Sequence, residues 1–450
     1  MPFPRDFAWG AATSSYQIEG AVTEDGRGPS IWDTFSHTPG KTVNGDTGDV
    51  ACDHYHRWAD DIELMASYGL NAYRFSVAWP RIQPTGRGAT NQKGIDFYRR
   101  LVDRLVERGI RPMATVYHWD LPQPLQDDGG GWQNREIVER FAEYASIVYD
   151  ALGDGVAWWV THNEPWVVAM VGHRLGRHAP GLRDLDAELR VAHHLLVSHG
   201  RAVEAYRASG LTAPIGITLN LYPNHPMRET DEDRAAARLG DAYGNRWYLD
   251  PVFRGSYPAD LLEWFTSRRS MDFIHDGDVA GVAQPIDFLG VNYYSHSVAR
   301  APRDGDSDEF PFAPSSERSP DVQRTDLDWE IVPHGLTELL TRIHDDYGAP
   351  PIHITENGAA FNEGKSADGR IHDARRVEFM RDHLAALEAA IDRGVDVRGY
   401  FTWSLMDNFE WGEGFSQRFG ITHIDYATQE RTPKDSARWY AEVVRRNALA

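Results

Sequence analysis

Pro351-Ile352-His353-Ile354-Thr355-Glu356-Asn357-Gly358 is a short apolar run that ends on a carboxylate and then on a turn signal. The pattern predicts a strand whose last residue is Glu356. A charged group at the end of a buried strand loses its hydration and needs a partner or a task. An ion-paired cap would meet that need, and so would catalysis. The arrangement recurs. Ala157-Trp158-Trp159-Val160-Thr161-His162-Asn163-Glu164-Pro165 also closes an apolar run on a Glu, here followed by Pro. Two strand-terminal glutamates are what cleavage of a glycosidic bond requires, one as acid, the other as nucleophile or base.

Working outward from these two runs, the chain alternates strands and helices. Further strands are predicted over 7–13, 70–79, 111–118, 214–220, 287–294 and 397–403. Residues 14–21 read as a polar loop. Helices are predicted between the strands. One carries Ile62, Met65 and Tyr68 and stops at Gly69. Another, over 96–108, places Tyr98, Leu101, Val102, Leu105 and Val106 on one face. Others cover 136–152, the segment with His193 and His194, 235–248, 335–347 and the row Val377, Met380, Leu384, Leu387, Ile391. A loop is expected around 251–258 and a long surface loop over 300–328. Eight strands alternating with helices predict an α/β fold: one (β/α)8 TIM barrel over 1–450, with its active site at the C-terminal ends of the strands. The rival, an open doubly wound sheet, lacks its Gly-x-Gly-x-x-Gly after the first strand.

Composition narrows the function classes. The chain has 67 acidic and 46 basic residues and a formal net charge of −21. That opposes binding to nucleic acid or to an anionic membrane surface. One cysteine, Cys52, allows no intramolecular disulfide. The first residues contain no apolar signal-type core and no run reaches spanning length, so a cytoplasmic protein without membrane contact is expected. His54 and His56 are two apart, and the adjacent His193 and His194 face apart on a helix. No spacing suggests a catalytic metal, and no glycine-rich phosphate cradle is visible, so neither metal nor cofactor is expected. Oligomeric state is not legible.

A barrel of this kind gathers the residues at its strand ends around one mouth. Gln17, Arg74, His118, Asn163, Glu164, Asn220, Tyr294, Glu356 and Trp403 should converge there. Asn163-Glu164-Pro165 and Thr355-Glu356-Asn357-Gly358 together resemble glycoside hydrolase family 1, the retaining β-glucosidases and their relatives. The resemblance runs from Phe7-Ala8-Trp9-Gly10 to about Tyr440. It implies Glu356 as nucleophile, oriented by Arg74 and Tyr294, with Glu164 as acid/base and Asn163 as donor to the sugar 2-hydroxyl. It also implies a sugar site made by Gln17, His118, Trp119, Trp403, Glu410, Trp411 and Phe419, with Gln17 bridging two hydroxyls. Trp166, His173, Asn220 and Trp329 match positions near the entrance.

Two departures matter. The 6-phospho-β-glycosidases of the family place Ser, Lys and Tyr where this chain has Glu410, Trp411, Gln417 and Phe419, which implies a neutral sugar. Asp328 stands where the family usually has Gly before Trp329. The expectation is therefore a cofactor-free β-glucosidase acting on aryl β-glucosides and cello-oligosaccharides, with some β-galactosidase or β-fucosidase activity. The alternatives are a 6-phospho-β-glycosidase, a non-catalytic sugar-binding relative, and an unrelated barrel whose glutamates are structural.

Overall fold

Eight parallel strands close into a barrel in chain order: β1 Ala8–Ala12, β2 Ala72–Ser76, β3 Arg111–Tyr117, β4 Trp158–Asn163, β5 Ile215–Asn220, β6 Phe288–Asn292, β7 Ile352–Asn357 and β8 Val397–Trp403. The last pairs with the first, from Ala8 opposite Gly399 to Ala12 opposite Trp403. This computed structural model describes residues 3–315 and 321–449. The part of the expected 300–328 loop that falls on 316–320 lies outside the described residues.

Helices cover the barrel because their apolar residues recur every three or four positions. Helix Gln92–Glu107 buries Phe97, Tyr98, Leu101, Val102 and Leu105, each worth about 1.5–3 kcal/mol when fully buried. It stops before Gly109, whose φ of +72° suits a residue without a Cβ. Val106, expected on that face, is exposed. At 3.6 residues per turn it points about 80° away from Tyr98. Among the described residues no helix is long and apolar enough to cross a membrane.

Four local expectations change. Ser15–Ile18 forms a single helical turn inside the expected loop. The helix expected over 235–248 is split: Asp231–Asp241 runs through a wide-turned segment, Ala242–Arg246, into Trp247–Arg254. Pro251 lies within that last helix rather than in a loop. At the fifth position it lacks the N–H that would bond the Trp247 carbonyl, so the helix forgoes one bond there. The expected 300–328 loop contributes Ala313–Pro314, which pairs with Ser297–Arg300 in a three-stranded sheet completed by Asn224–Pro226.

The barrel interior has two chemistries. Its lower half is apolar, with Ala8, Ala72, Met113, Val160, Phe288 and Phe401 in one cluster, and Trp158 and His353 against it. Burial pushes the His353 pKa down to about 3, so the ring is neutral. The upper half is polar: Arg74, Thr115, Asn163, Thr218, Asn292, Thr355 and Glu356 are all buried there.

Two irregularities aim the glutamate strands. A regular strand sends alternate side chains to opposite faces. In β4, Trp158 and Val160 face inward, while Thr161 bonds His199 on a covering helix. His162 should then turn inward, yet it packs on Phe141 and bonds Ser198, also outside. The register shift between Val160 and Asn163 absorbs the extra residue and returns Asn163 to the interior. In β7, a shift between Ile354 and Glu356 lets Thr355 and Glu356 both reach the polar interior. Gly358 follows because a Cβ there would lie 1.8 Å from the Trp403 carbonyl oxygen.

Candidate active site

Above the polar half opens a cavity of about 1150 Å³ lined by Glu164, Glu356, Asn292, Tyr294, His118 and Trp403, among others. Glu356 is held by two donors. Arg74 Nη1 lies 2.5 Å from Oε1, and the Tyr294 hydroxyl donates to Oε2 at 2.6 Å. Arg74 is wholly buried, and its other nitrogens donate to Asn163 Oδ1 at 2.6 Å and Thr115 Oγ1 at 3.1 Å. Removing one partner of such a buried pair costs about 3–5 kcal/mol, because the other charge is left uncompensated.

Glu164 has a different environment. Its φ of +47° is uncommon for a non-glycine residue and rarer still before proline. Its N–H donates to the Thr218 carbonyl at 2.9 Å, which pins the turn. Its side chain receives Asn292 Nδ2 at 2.6 Å. Asn292 is itself oriented by Thr355, whose hydroxyl donates to Oδ1 at 2.7 Å. Burial, then the negative Glu356, push the Glu164 carboxyl well up, with Asn292 and Arg74 opposing. Burial raises Glu356 as well, but Arg74 and Tyr294 hold it back. Two carboxyls of one cavity are thereby separated: the ion-paired one favours its charge, the other its proton.

Asn163 Oδ1 accepts from both Arg74 and Asn292, which fixes the amide. Its Nδ2 therefore faces His118 Nε2 at 3.1 Å and donates to it. His118 carries its proton on Nδ1, and burial and Arg74 keep the ring neutral. Trp119 donates its indole N–H to the Asn163 carbonyl at 2.9 Å. His118 stacks on both Trp403 and Trp411. Burial, followed by Glu356 and Glu413, pushes the Glu410 carboxyl up to about 8. Five polar atoms of cavity-lining residues are buried without a protein partner among the described residues: His118 Nδ1, Trp166 Nε1, His178 Nδ1, Asn220 Oδ1 and Glu410 Oε2.

The cavity thus brings together His118, Trp119, Glu164, Trp166, Asn220, Tyr294, Trp329, Glu356, Trp403, Glu410, Trp411 and Phe419, with Arg74 and Asn163 beneath. Two further expected residues are not among those that line the cavity. Gln17 does not line it. Its Nε2 donates to Asn408 Oδ1 and the Phe409 carbonyl, and its Oε1 accepts from Ser14, so its amide braces the segment leading to Glu410. His173 is buried, bonded to the Val168 carbonyl within the wide-turned segment Val167–Arg174. Asp328 does not disturb the turn before Trp329. It adopts φ +64°, which Asp tolerates better than most residues, and the turn is tied by Thr325. Among the described residues no three metal-ligating side chains are gathered to hold an ion.

The family model for glycosyl hydrolase family 1 matches residues 1–449. The chain belongs to this family. Against other family 1 members, it is 48% identical to β-glucosidase A of Acetivibrio thermocellus over 449 residues, 100% of this chain and 99% of the relative. It is 47% identical to a bifunctional β-D-glucosidase/β-D-fucosidase of Bifidobacterium breve, covering 99% and 98%. The family 1 β-glucosidase structure of Thermotoga maritima in complex with glucoimidazole superposes with a TM-score of 0.95 at 48% identity, covering 100% of both chains. One residue of this family 1 site was not singled out from the sequence: Asn292, two positions before Tyr294. Its signal was an amide at the end of a predicted strand, the same signal carried by Asn163 and Asn220.

Proposed function

We propose that this chain is a retaining β-glucosidase, acting as one domain, that releases terminal β-D-glucosyl groups from small β-glucosides and cello-oligosaccharides. The observation that carries this reading is the unequal pair of buried carboxyls facing one cavity. Glu356, ionised against Arg74 and oriented by Tyr294, attacks the anomeric carbon. Glu164 starts protonated and assists the leaving oxygen. Esterification of Glu356 removes the negative neighbour that raised Glu164, which then ionises more readily and takes the proton of the attacking water. Asn163 donates to the sugar 2-hydroxyl. The unpartnered polar atoms on His118 and Glu410 suit sugar hydroxyls, since buried polar groups otherwise go unsatisfied. Trp403 supplies an apolar face. Glu410 at the 4-hydroxyl leaves room for β-galactoside and β-fucoside cleavage.

A panel of nitrophenyl glycosides, each with and without a 6-phosphate, tests the reading. The β-glucoside should be cleaved roughly 100-fold faster than its 6-phosphate, because burying a phosphate against Glu410 and Trp411, neither of which is a cation, costs several kcal/mol. Preference for the phosphorylated substrate would overturn the assignment of Glu410 and Trp411.

Asn292 gives a pH test. Its amide favours the ionised form of Glu164 and so lowers that pKa. Asn292→Ala removes the donor and raises it. Activity needs Glu164 protonated, so the alkaline limb of kcat/KM should move to higher pH, while the rate at the optimum falls roughly 10-fold for loss of a bond to a charged group. An alkaline limb that stays put would dissociate Glu164 from the acid role.

A further inference from the structure

At the outer wall of the cavity, two histidines meet in a way that their other bonds make costly. His225 lies on the strand Asn224–Pro226, and His296 immediately precedes Ser297–Arg300, the parallel neighbour of that strand. Their Nδ1 atoms are 2.9 Å apart. Each ring is anchored at its far nitrogen by a carboxylate: His225 Nε2 lies 3.0 Å from Glu338, and His296 Nε2 lies 2.5 Å from Glu330. Carboxylates accept, so both Nε2 atoms donate. A neutral imidazole has one N–H. Both Nδ1 atoms would then present lone pairs to each other at hydrogen-bond distance. A cation between them removes the repulsion.

We infer that His225 and His296 form a two-point seat for a divalent transition-metal ion of the Zn²⁺ or Cu²⁺ type. Imidazole nitrogens suit these ions. Two nitrogens bound to one tetrahedral Zn²⁺ at about 2.0–2.1 Å stand roughly 3.3 Å apart, so the pair need open by only about 0.4 Å. A carboxylate on the far nitrogen of each ring is the arrangement that orients metal-bound histidines and strengthens them as ligands. Arg324, which also bonds Glu330, weakens this effect on one side. The side chains of His225 and His296 are 30% and 15% exposed, so solvent ions can reach the pair. His296 lines the cavity, which puts the ion on its wall. With two protein ligands, the remaining positions go to water. The inference is independent of the glycosidase reading.

Zn²⁺ binding to the tag-free full chain, measured by equilibrium dialysis and by calorimetry, tests it. One ion per chain should bind. His225→Ala and His296→Ala should each weaken binding at least 10-fold, and Glu338→Gln about 10-fold through loss of the orienting carboxylate. His225→Ala should leave basal glucoside turnover unchanged, which reports an intact fold. Zn²⁺ binding that survives both histidine substitutions, or no binding by the wild-type chain, overturns the inference.

Discussion

Glu356→Ala should show no covalent glycosyl-enzyme with any substrate, and its kcat should fall on the order of 10⁶-fold, the scale on which loss of a covalent nucleophile is felt. The structure explains why nothing nearby substitutes. Arg74 and Tyr294 are donors aimed at the missing carboxylate, and Glu164 stands on its own turn, held by Asn292. A small anion can enter the space instead. Azide should attack from the face that the carboxylate occupied and give the α-glucosyl azide. The measurement is the anomeric configuration of that product by NMR. A β-azide would mean that Glu356 is the acid/base and not the nucleophile.

Glu164→Ala should separate substrates by leaving group. Cellobiose needs its glycosidic oxygen protonated and should lose about 10²–10⁴-fold, the usual range for general acid catalysis. A dinitrophenyl β-glucoside leaves without a proton, so the glycosyl-enzyme should still form. Water then lacks its base, and the intermediate should accumulate as a burst of dinitrophenol followed by a slow phase. Azide needs no base and should restore turnover, giving the β-glucosyl azide. Equal losses on both substrates would argue against proton donation by Glu164. The same azide configuration from both variants would exclude double displacement by this pair.

Much of the fold was legible because its signals are local. Apolar runs of strand length alternate with three- and four-residue helical periodicity, and the barrel closes in chain order. Two of the misreadings have local causes too. Val106 sits at the edge of an otherwise correct stripe. Pro251 reads as a breaker but removes only one backbone bond from Trp247–Arg254, a helix held by its buried Trp247, Tyr248, Leu249 and Val252. The short pairing of Ala313–Pro314 with Ser297–Arg300 depends on a distant partner and leaves no periodic trace.

For the site, the residue types and their places at strand ends were enough to name both glutamates, Arg74, Tyr294 and most of the sugar site. They could not say how those side chains divide their bonds. Gln17 has the donor and acceptor a sugar would need, yet it accepts from Ser14 beside it and donates to Asn408 and Phe409, which come close only through closure of β8 on β1. Asn292 looked like any strand-end amide until the fold set it between Glu164, Asn163 and Thr355. The direction of the two key strands was also beyond the sequence. Period-two alternation from Trp158 would turn His162 inward, and the same rule would not let Thr355 and Glu356 share the interior. By itself the sequence determined which carboxylates end which strands and that eight such strands surround one mouth, because apolar periodicity and turn residues act over a few positions. Only the tertiary structure decided that both glutamates reach that mouth with different partners, because register shifts against β5 and β6, neighbours remote in the chain, set where each side chain points and which charges it meets.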